Sequence, residues 1–225
     1  MIPSKFLGYY LGRWQILCNF ASLMTIQERV QEIKRSFRLM MDGATSASMR
    51  EKGLSYKLNW GASIVMLRQQ AQEIGQDYHL AIELWKEDIR ECKILATLLM
   101  PPAEMLPEVA ELWMEQTPNV EIAEQTAFNL YQHMDSAADL AYKWIASERE
   151  LDQLCGFHIL SRLFMQGKSP NERGINEFVD QAVAALSSEN ISLKKAVVQS
   201  LQRFAELSLM HERIAKTATK EYNIL

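Results

Sequence analysis

The chain has 225 residues, a net charge of −4, 48% hydrophobic residues, and only 9 Gly and 6 Pro. So few chain-bending residues exclude an all-β sandwich or barrel, which needs frequent turns, and favour helix. Cys18, Cys92 and Cys155 are odd in number and far apart, so they form neither a disulfide framework nor a zinc ligand set. They fit a reducing, cytoplasmic compartment, and Cys92 and Cys155 are expected to be small buried apolar residues. No apolar run reaches the roughly 18 residues that a membrane span needs.

In chain order, residues 1–24 stand apart as an N-terminal extension, rich in aromatics and without an acid. Lys5 and Arg13 flank an apolar stretch, as in a signal sequence, but Gln15 and Asn19 interrupt it. The alternative is a working start at Met24, with Thr25 capping the first helix and Glu28 closing a capping box. Residues 25–225 then read as a single domain of successive helices. Apolar spacing predicts Thr25–Met41, Thr45–Glu51, Ala62–Ile74, Tyr78–Glu87, Arg90–Met100 and Ala103–Gln116. It continues with Val120–Met134, Ala137–Ser147, Glu150–Gln166, Asn171–Leu186, Ser192–Leu207 and Met210–Tyr222. Pro101-Pro102 is the hardest stop. Gly156, inside a predicted helix, marks a close helix contact.

Four segments, Leu80–Met100, Val109–Tyr131, Leu140–Phe164 and Ala182–Ala205, each read as a helix, a short break and a second helix. Trp85, Trp113 and Trp144 end the first helices of three of them, at spacings of 28 and 31 residues. Irregular two-helix repeats of this length predict an all-α fold, a HEAT-like α-solenoid whose neighbouring pairs stack. The Trp stripe is then inter-helix core.

Charge is unevenly spread. Residues 25–68 carry eight bases and four acids, residues 77–150 five bases and fifteen acids, and residues 190–220 six bases and two acids. The basic ends leave room for a polyanion partner. Lys195, Gln199 and Arg203 recur at i, i+4 and i+8, with Lys194 adjacent. Leu154, His158 and Arg162 form a similar row. Both rows can follow a phosphate backbone, and both can equally be ordinary amphipathic surface. Glu104, Glu108, Glu111 and Glu115 are expected to share one convex, solvated helix face. Glu87, Asp88 and Glu91 read as helix-end acids. The four His are isolated and give no metal spacing, and there is no phosphate loop or nucleophile motif. Ser169-Pro170-Asn171-Glu172 reads as a helix start.

Leu84-Trp85 followed by Arg90-Glu91-Cys92-Lys93-Ile94-Leu95-Ala96, Gly61 with Arg68, and Lys143-Trp144-Ile145-Ala146-Ser147 together resemble the DNA alkylation repair family. The resemblance runs from about Met24 to about Glu206. It implies HEAT-like repeats curved around double-stranded DNA and, in active members, release of N3- and N7-alkylated purines without base flipping and without a cofactor. The family's Trp-x-x-x-Asp pair falls on Val120 and Glu124, its Arg on Leu154, its last Trp on Gln199, and its N-terminal Pro on Val65. The resemblance thus leaves Glu124 as the candidate catalytic residue, able to steady an oxocarbenium-like sugar or orient a water. A solvated helix carboxylate is the alternative. Lys194, Lys195, Gln199, Arg203, His158 and Arg162 are the candidate DNA contacts. The expected protein is a monomer off the membrane that binds DNA and has weak or lost glycosylase activity. A non-catalytic helical-repeat module binding a protein partner is the alternative.

Overall fold

A computed structural model describes residues 24–54, 56–222 and 224. The readings of Cys18 and of the signal-like stretch lie outside them. Among the described residues twelve α-helices follow one another. They are α1 (Ile26–Ser36), α2 (Gly43–Glu51), α3 (Ile64–Ile74), α4 (Tyr78–Lys86), α5 (Arg90–Leu99) and α6 (Pro107–Glu115). The remainder are α7 (Val120–Asn129), α8 (Ala137–Ile145), α9 (Glu150–Met165), α10 (Glu172–Leu186), α11 (Ile191–Ala205) and α12 (Leu209–Ala218). No strand occurs among these residues beyond one isolated bridge, Leu58 to Ile89. None of the described helices is long and apolar enough to cross a membrane.

Local chemistry sets most helix starts. Thr25, Asp42, Ser63, Asp77, Asn119, Asn171, Asn190 and Ser208 each accept a backbone N–H of the first turn, and Thr25 with Glu28 forms the expected capping box. Four boundaries differ from the apolar periodicity by four residues or more, one of them in the last helix, which is expected to reach Tyr222 and ends at Ala218. The helix expected from Ala103 begins only at Pro107, because a residue before proline is pushed out of the helical region and Leu106 is extended. The helix expected to reach Met134 ends at Asn129, where Leu130 leaves helical geometry before a 3-10 turn over Tyr131–His133. The helix expected to reach Met41 tightens into a 3-10 turn over Phe37–Met40.

The helices form two layers. In one, α3 packs on α5, α5 on α7, α7 on α9 and α9 on α11. In the other, α8 packs on α10 and α10 on α12, while α4, α8 and α10 each back onto the helix that follows them. The core is one cluster running from Val30 to Ala215. Trp85 and Trp113 stack across the repeat boundary, with centroids 4.1 Å apart and planes 1° from parallel. Trp85 Nε1 donates to Gln116 at 3.0 Å, and Trp144 tilts against Tyr131. Two cations cap helix ends: Lys93 donates to the Trp85 carbonyl at the end of α4 within one repeat, and Arg149 to the Met114 carbonyl near the end of α6 in the preceding repeat. Gly156 is where α9 meets α8 most closely. A Cβ there would stand 2.8 Å from the Ala141 carbonyl oxygen, so only glycine allows this approach.

A buried ionic knot anchors the N-terminal edge. Glu91 is fully buried, and its carboxylate accepts the backbone N–H groups of Trp60 and Ala62 at 3.1–3.2 Å. Glu91 thus stands in the first turn of α5, as expected of a helix-end acid, and in addition binds the backbone of a distant loop. Arg90, 1% exposed, donates to the Ala62 carbonyl at 2.8 Å and pairs with Glu121 of α7 at 2.6 Å. Tyr56 donates to the same Glu121 carboxylate. Gly61, at φ +75, permits the tight turn: a Cβ there would lie 2.2 Å from the Asp42 carbonyl oxygen.

Removing one member of this knot strands the others in a dry site. Glu91→Ala is expected to lower the unfolding free energy by about 3–5 kcal/mol in urea titration. The alkaline limb carries a second prediction. Burial and the Glu121 charge push the Tyr56 hydroxyl well above its ordinary value near 10. The unfolded chain loses this proton near pH 10 and the folded chain keeps it, so stability is full below about pH 10 and falls as pH rises beyond it. Tyr56→Phe is expected to flatten part of that fall. Tyr131 and Tyr142 and the buried thiols of Cys92 and Cys155, also raised by burial, contribute to the rest.

Candidate nucleic-acid interface

Residues four apart share a helix face, which pairs Glu124 with Phe128 on α7 and His158 with Arg162 on α9. Packing of α7 on α9 brings all four together. The His158 Nε2 lies 3.5 Å from the Glu124 carboxylate. Its ring meets Phe128 edge-on at 5.0 Å, and the Arg162 guanidinium sits 4.3 Å over the same Phe128 ring. Glu124 is partly exposed, at 38% of its side chain.

His158 departs from the sequence expectation. It is 5% exposed, so the row Leu154, His158 and Arg162 is not a surface row. Leu154 is buried as well, and Arg162 alone of the three reaches solvent. The cause is α9 itself, flanked by α7 and α11 and backed by α8, so that every residue from Leu154 to Ser161 is buried. Neither ring nitrogen of His158 has a hydrogen-bond partner among the described residues. At 3.5 Å the Glu124 contact is not a formed hydrogen bond.

On α11, Lys195 and Gln199 are exposed and Lys194 is half-buried, and neither lysine forms an ion pair among the described residues. Arg203 is engaged differently, bridging to Glu206 at 2.7 Å. The helix carries three bases and no acid. By contrast, α6, whose Trp113 stacks on Trp85 of α4 and whose Glu111 pairs with Lys143 of α8, carries Glu108, Glu111 and Glu115 and no base. Glu104 precedes α6 and does not share its face, and Glu111 is bridged to Lys143 at 2.6 Å. The face expected to hold four acids thus holds three.

Phe128 is the member that sequence reasoning missed. Its signal was available, since it stands four residues after Glu124, but an aromatic on an amphipathic helix reads as core until a cation is found above it. Cys92 and Cys155 are buried free thiols, as expected, and desolvation pushes the Cys92 thiol up to about 12.

Residues 33–211 match the family model described as DNA alkylation repair enzyme. No curated protein matches the chain. One solved structure superposes with a TM-score of 0.76 at 18% sequence identity, covering 85% of this chain and 82% of the other. It is described as a new family of proteins related to the HEAT-like repeat DNA glycosylases with affinity for branched DNA structures. At that identity the likeness establishes the fold, stacked HEAT-like helical repeats.

A buried imidazole lacking hydrogen bonds costs stability, and Glu124 only partly compensates it. His158→Leu, which fills the space without polar atoms, is expected to leave thermal stability unchanged or raise it by up to about 1 kcal/mol. A loss above that size would show that the imidazole serves the fold.

Proposed function

This chain belongs to the DNA alkylation repair enzyme family, and from that premise we propose that it binds duplex DNA through the phosphate backbone, along the layer formed by α7, α9 and α11. The observation that carries this reading is the charge of α11, which bears three bases and no acid. Lys194 and Lys195 form no ion pair among the described residues, and the glutamates of α6 lie on a helix that meets α4 and α8 rather than α11. Arg162, lying flat over Phe128, adds a cation on the neighbouring helix. Backbone contacts of this kind release counterions and carry no sequence information. The branched-DNA affinity attributed to the structural neighbour supports the same chemistry, because a junction also presents converging phosphates.

Robust base excision does not fit this site. Three positions that hold an aromatic or an arginine in the family are Val120, Gln199 and Leu154 here. Leu154 is buried and has no donor, so it offers no phosphate contact. A lost charge-assisted hydrogen bond costs about 1.5–3 kcal/mol, and the missing aromatic walls add to that. What remains is Glu124, a partly exposed carboxylate able to steady a developing sugar cation. The reading is therefore a DNA-binding protein whose residual glycosylase activity, where it survives, runs through Glu124.

Fluorescence anisotropy against a labelled duplex at several salt concentrations tests the binding. Affinity is expected to fall steeply with salt, and Lys194→Ala or Lys195→Ala to reduce the logarithmic slope by about 0.9 each. A flat salt response, or no duplex binding, would overturn the reading and leave a protein-binding repeat module. Excision from duplex DNA holding N7-methylguanine tests the residual chemistry: Glu124→Gln is expected to abolish whatever release the native protein gives. Equal release by both proteins would remove Glu124 from the mechanism.

A further inference from the structure

A cavity of about 240 Å3 lies between α8, α9 and the loop joining α9 to α10. Its walls are mostly apolar, with Ala137, Leu160, Leu163 and Phe164 among them. Four polar side chains also line it: Asp135 just before α8, Tyr142 from α8, and Lys168 and Ser169 from the loop. The Tyr142 hydroxyl is buried and has no hydrogen-bond partner among the described residues. Burial, aided by the Glu177 charge, pushes it up to about 12, so it stays a proton donor at neutral pH.

Ser169 is exposed, and its Oγ lies 3.3 Å from Nε2 of His211, a residue 42 positions further on. His211 is 5% exposed, lies edge-on to Phe204 at 4.8 Å, and places Nδ1 2.7 Å from Ser208 Oγ. Ser208 caps α12 and also accepts the His211 backbone N–H, which fixes its oxygen in place. With the Nδ1 proton given to Ser208, Nε2 turns a lone pair toward the Ser169 hydroxyl. The alternative acceptor of that hydroxyl, the Pro170 carbonyl, is slightly farther at 3.4 Å. Pro170 also stands beside Tyr142. A Cβ on Gly174 would touch the Tyr142 hydroxyl at 2.9 Å and Pro170 Cβ at 3.1 Å, so the hydroxyl borders the residue that follows Ser169.

A hydroxyl nucleophile and an unpaired donor on one mostly apolar cavity, with a buried base behind the hydroxyl that is itself oriented by a third group, are the parts of an acyl-transfer site. We propose that this cavity binds small carboxylic esters and that Ser169, with His211 as its base, takes up their acyl group. In the step, Ser169 Oγ bonds to the ester carbonyl carbon as its proton passes to His211 Nε2. The Tyr142 hydroxyl donates to the carbonyl oxygen, which carries the negative charge of the tetrahedral intermediate. Collapse breaks the bond to the alkoxy oxygen, which leaves as the alcohol with the proton from His211. Water then attacks the acyl-Ser169, its proton passing through His211 back to Ser169 Oγ, and the carboxylic acid departs. One ester and one water thus yield one acid and one alcohol. The site lies apart from the α7–α9 cluster and does not rest on the DNA-binding reading.

The full chain is to be treated with a fluorophosphonate probe and mapped by peptide mass spectrometry, and assayed for hydrolysis of p-nitrophenyl butyrate. Labelling is expected at Ser169 and nowhere in Ser169→Ala. Hydrolysis is expected to fall about a hundredfold or more in Ser169→Ala and in His211→Gln. Tyr142→Phe, which keeps the ring and removes only the unpaired hydroxyl, is expected to lose about a hundredfold in turnover with an unchanged melting temperature. That variant guards against loss of fold at His211. An unlabelled native protein, a label that persists in Ser169→Ala, or hydrolysis equal in native and Ser169→Ala proteins would each overturn the proposal.

Discussion

Arg90, Glu91 and Glu121 put three charges into a dry junction between α5, α7 and the segment running from Tyr56 to Ala62. Such charges are costly to bury, and they are tolerable here because they satisfy one another together with backbone groups that would otherwise be orphaned. Glu91 serves two N–H groups of the loop, and Arg90 serves one of its carbonyls. The loop in turn supplies the acceptor for the first N–H of α5, since Arg90 N donates to the Leu58 carbonyl at 3.1 Å. That exchange replaces the side-chain cap that α5 lacks. Glu121 carries the constraint into α7, and Glu124 stands less than one turn further along the same helix. The ionic knot therefore sets the position of the candidate carboxylate, although it makes no contact with it.

Beyond that junction the repeats are held in register by contacts of a different kind. The parallel stack of Trp85 on Trp113 fills the boundary between two units, and Lys93 lies 4.6 Å over the Trp85 ring while capping the end of its helix. Each such contact joins neighbours only, as a stacked repeat requires. The middle of the stack is the most constrained place, because α9 has helices on three sides and glycine at the closest approach. This explains a feature of the α7–α9 site. A position that faces outward in an isolated amphipathic helix becomes enclosed when both flanking helices close over it, and so His158 is buried beside Glu124.

The helices were legible because their signals are local. Caps such as Asp77 and Asn119 act within one turn, apolar spacing repeats every three or four residues, and Trp85, Trp113 and Trp144 recur at the repeat length. Boundaries failed where a local rule competed with periodicity, as at Pro107 and Leu130. The candidate site was legible in part. Glu124 is found from the family motif, and the bases of α11 from their four-residue spacing. Phe128, the burial of Leu154 and the engagement of Arg203 by Glu206 were not found, because each depends on a neighbour that spacing alone does not identify.

The amino-acid sequence by itself determined the helical class, the pairing of helices into repeats, and the separation of acidic from basic segments. Each of these is a property of composition or of spacing within a few turns. Tertiary structure alone decided that Glu91 serves a loop some thirty residues upstream (31 for Trp60, 29 for Ala62). It also decided that His158 lies buried beside a carboxylate, and that Ser169 meets His211 across 42 residues. These contacts exist because stacked helices bring together side chains that no local periodicity relates. Whether a polar group ends in water, in an ion pair or beside a cavity depends on which neighbours close over it.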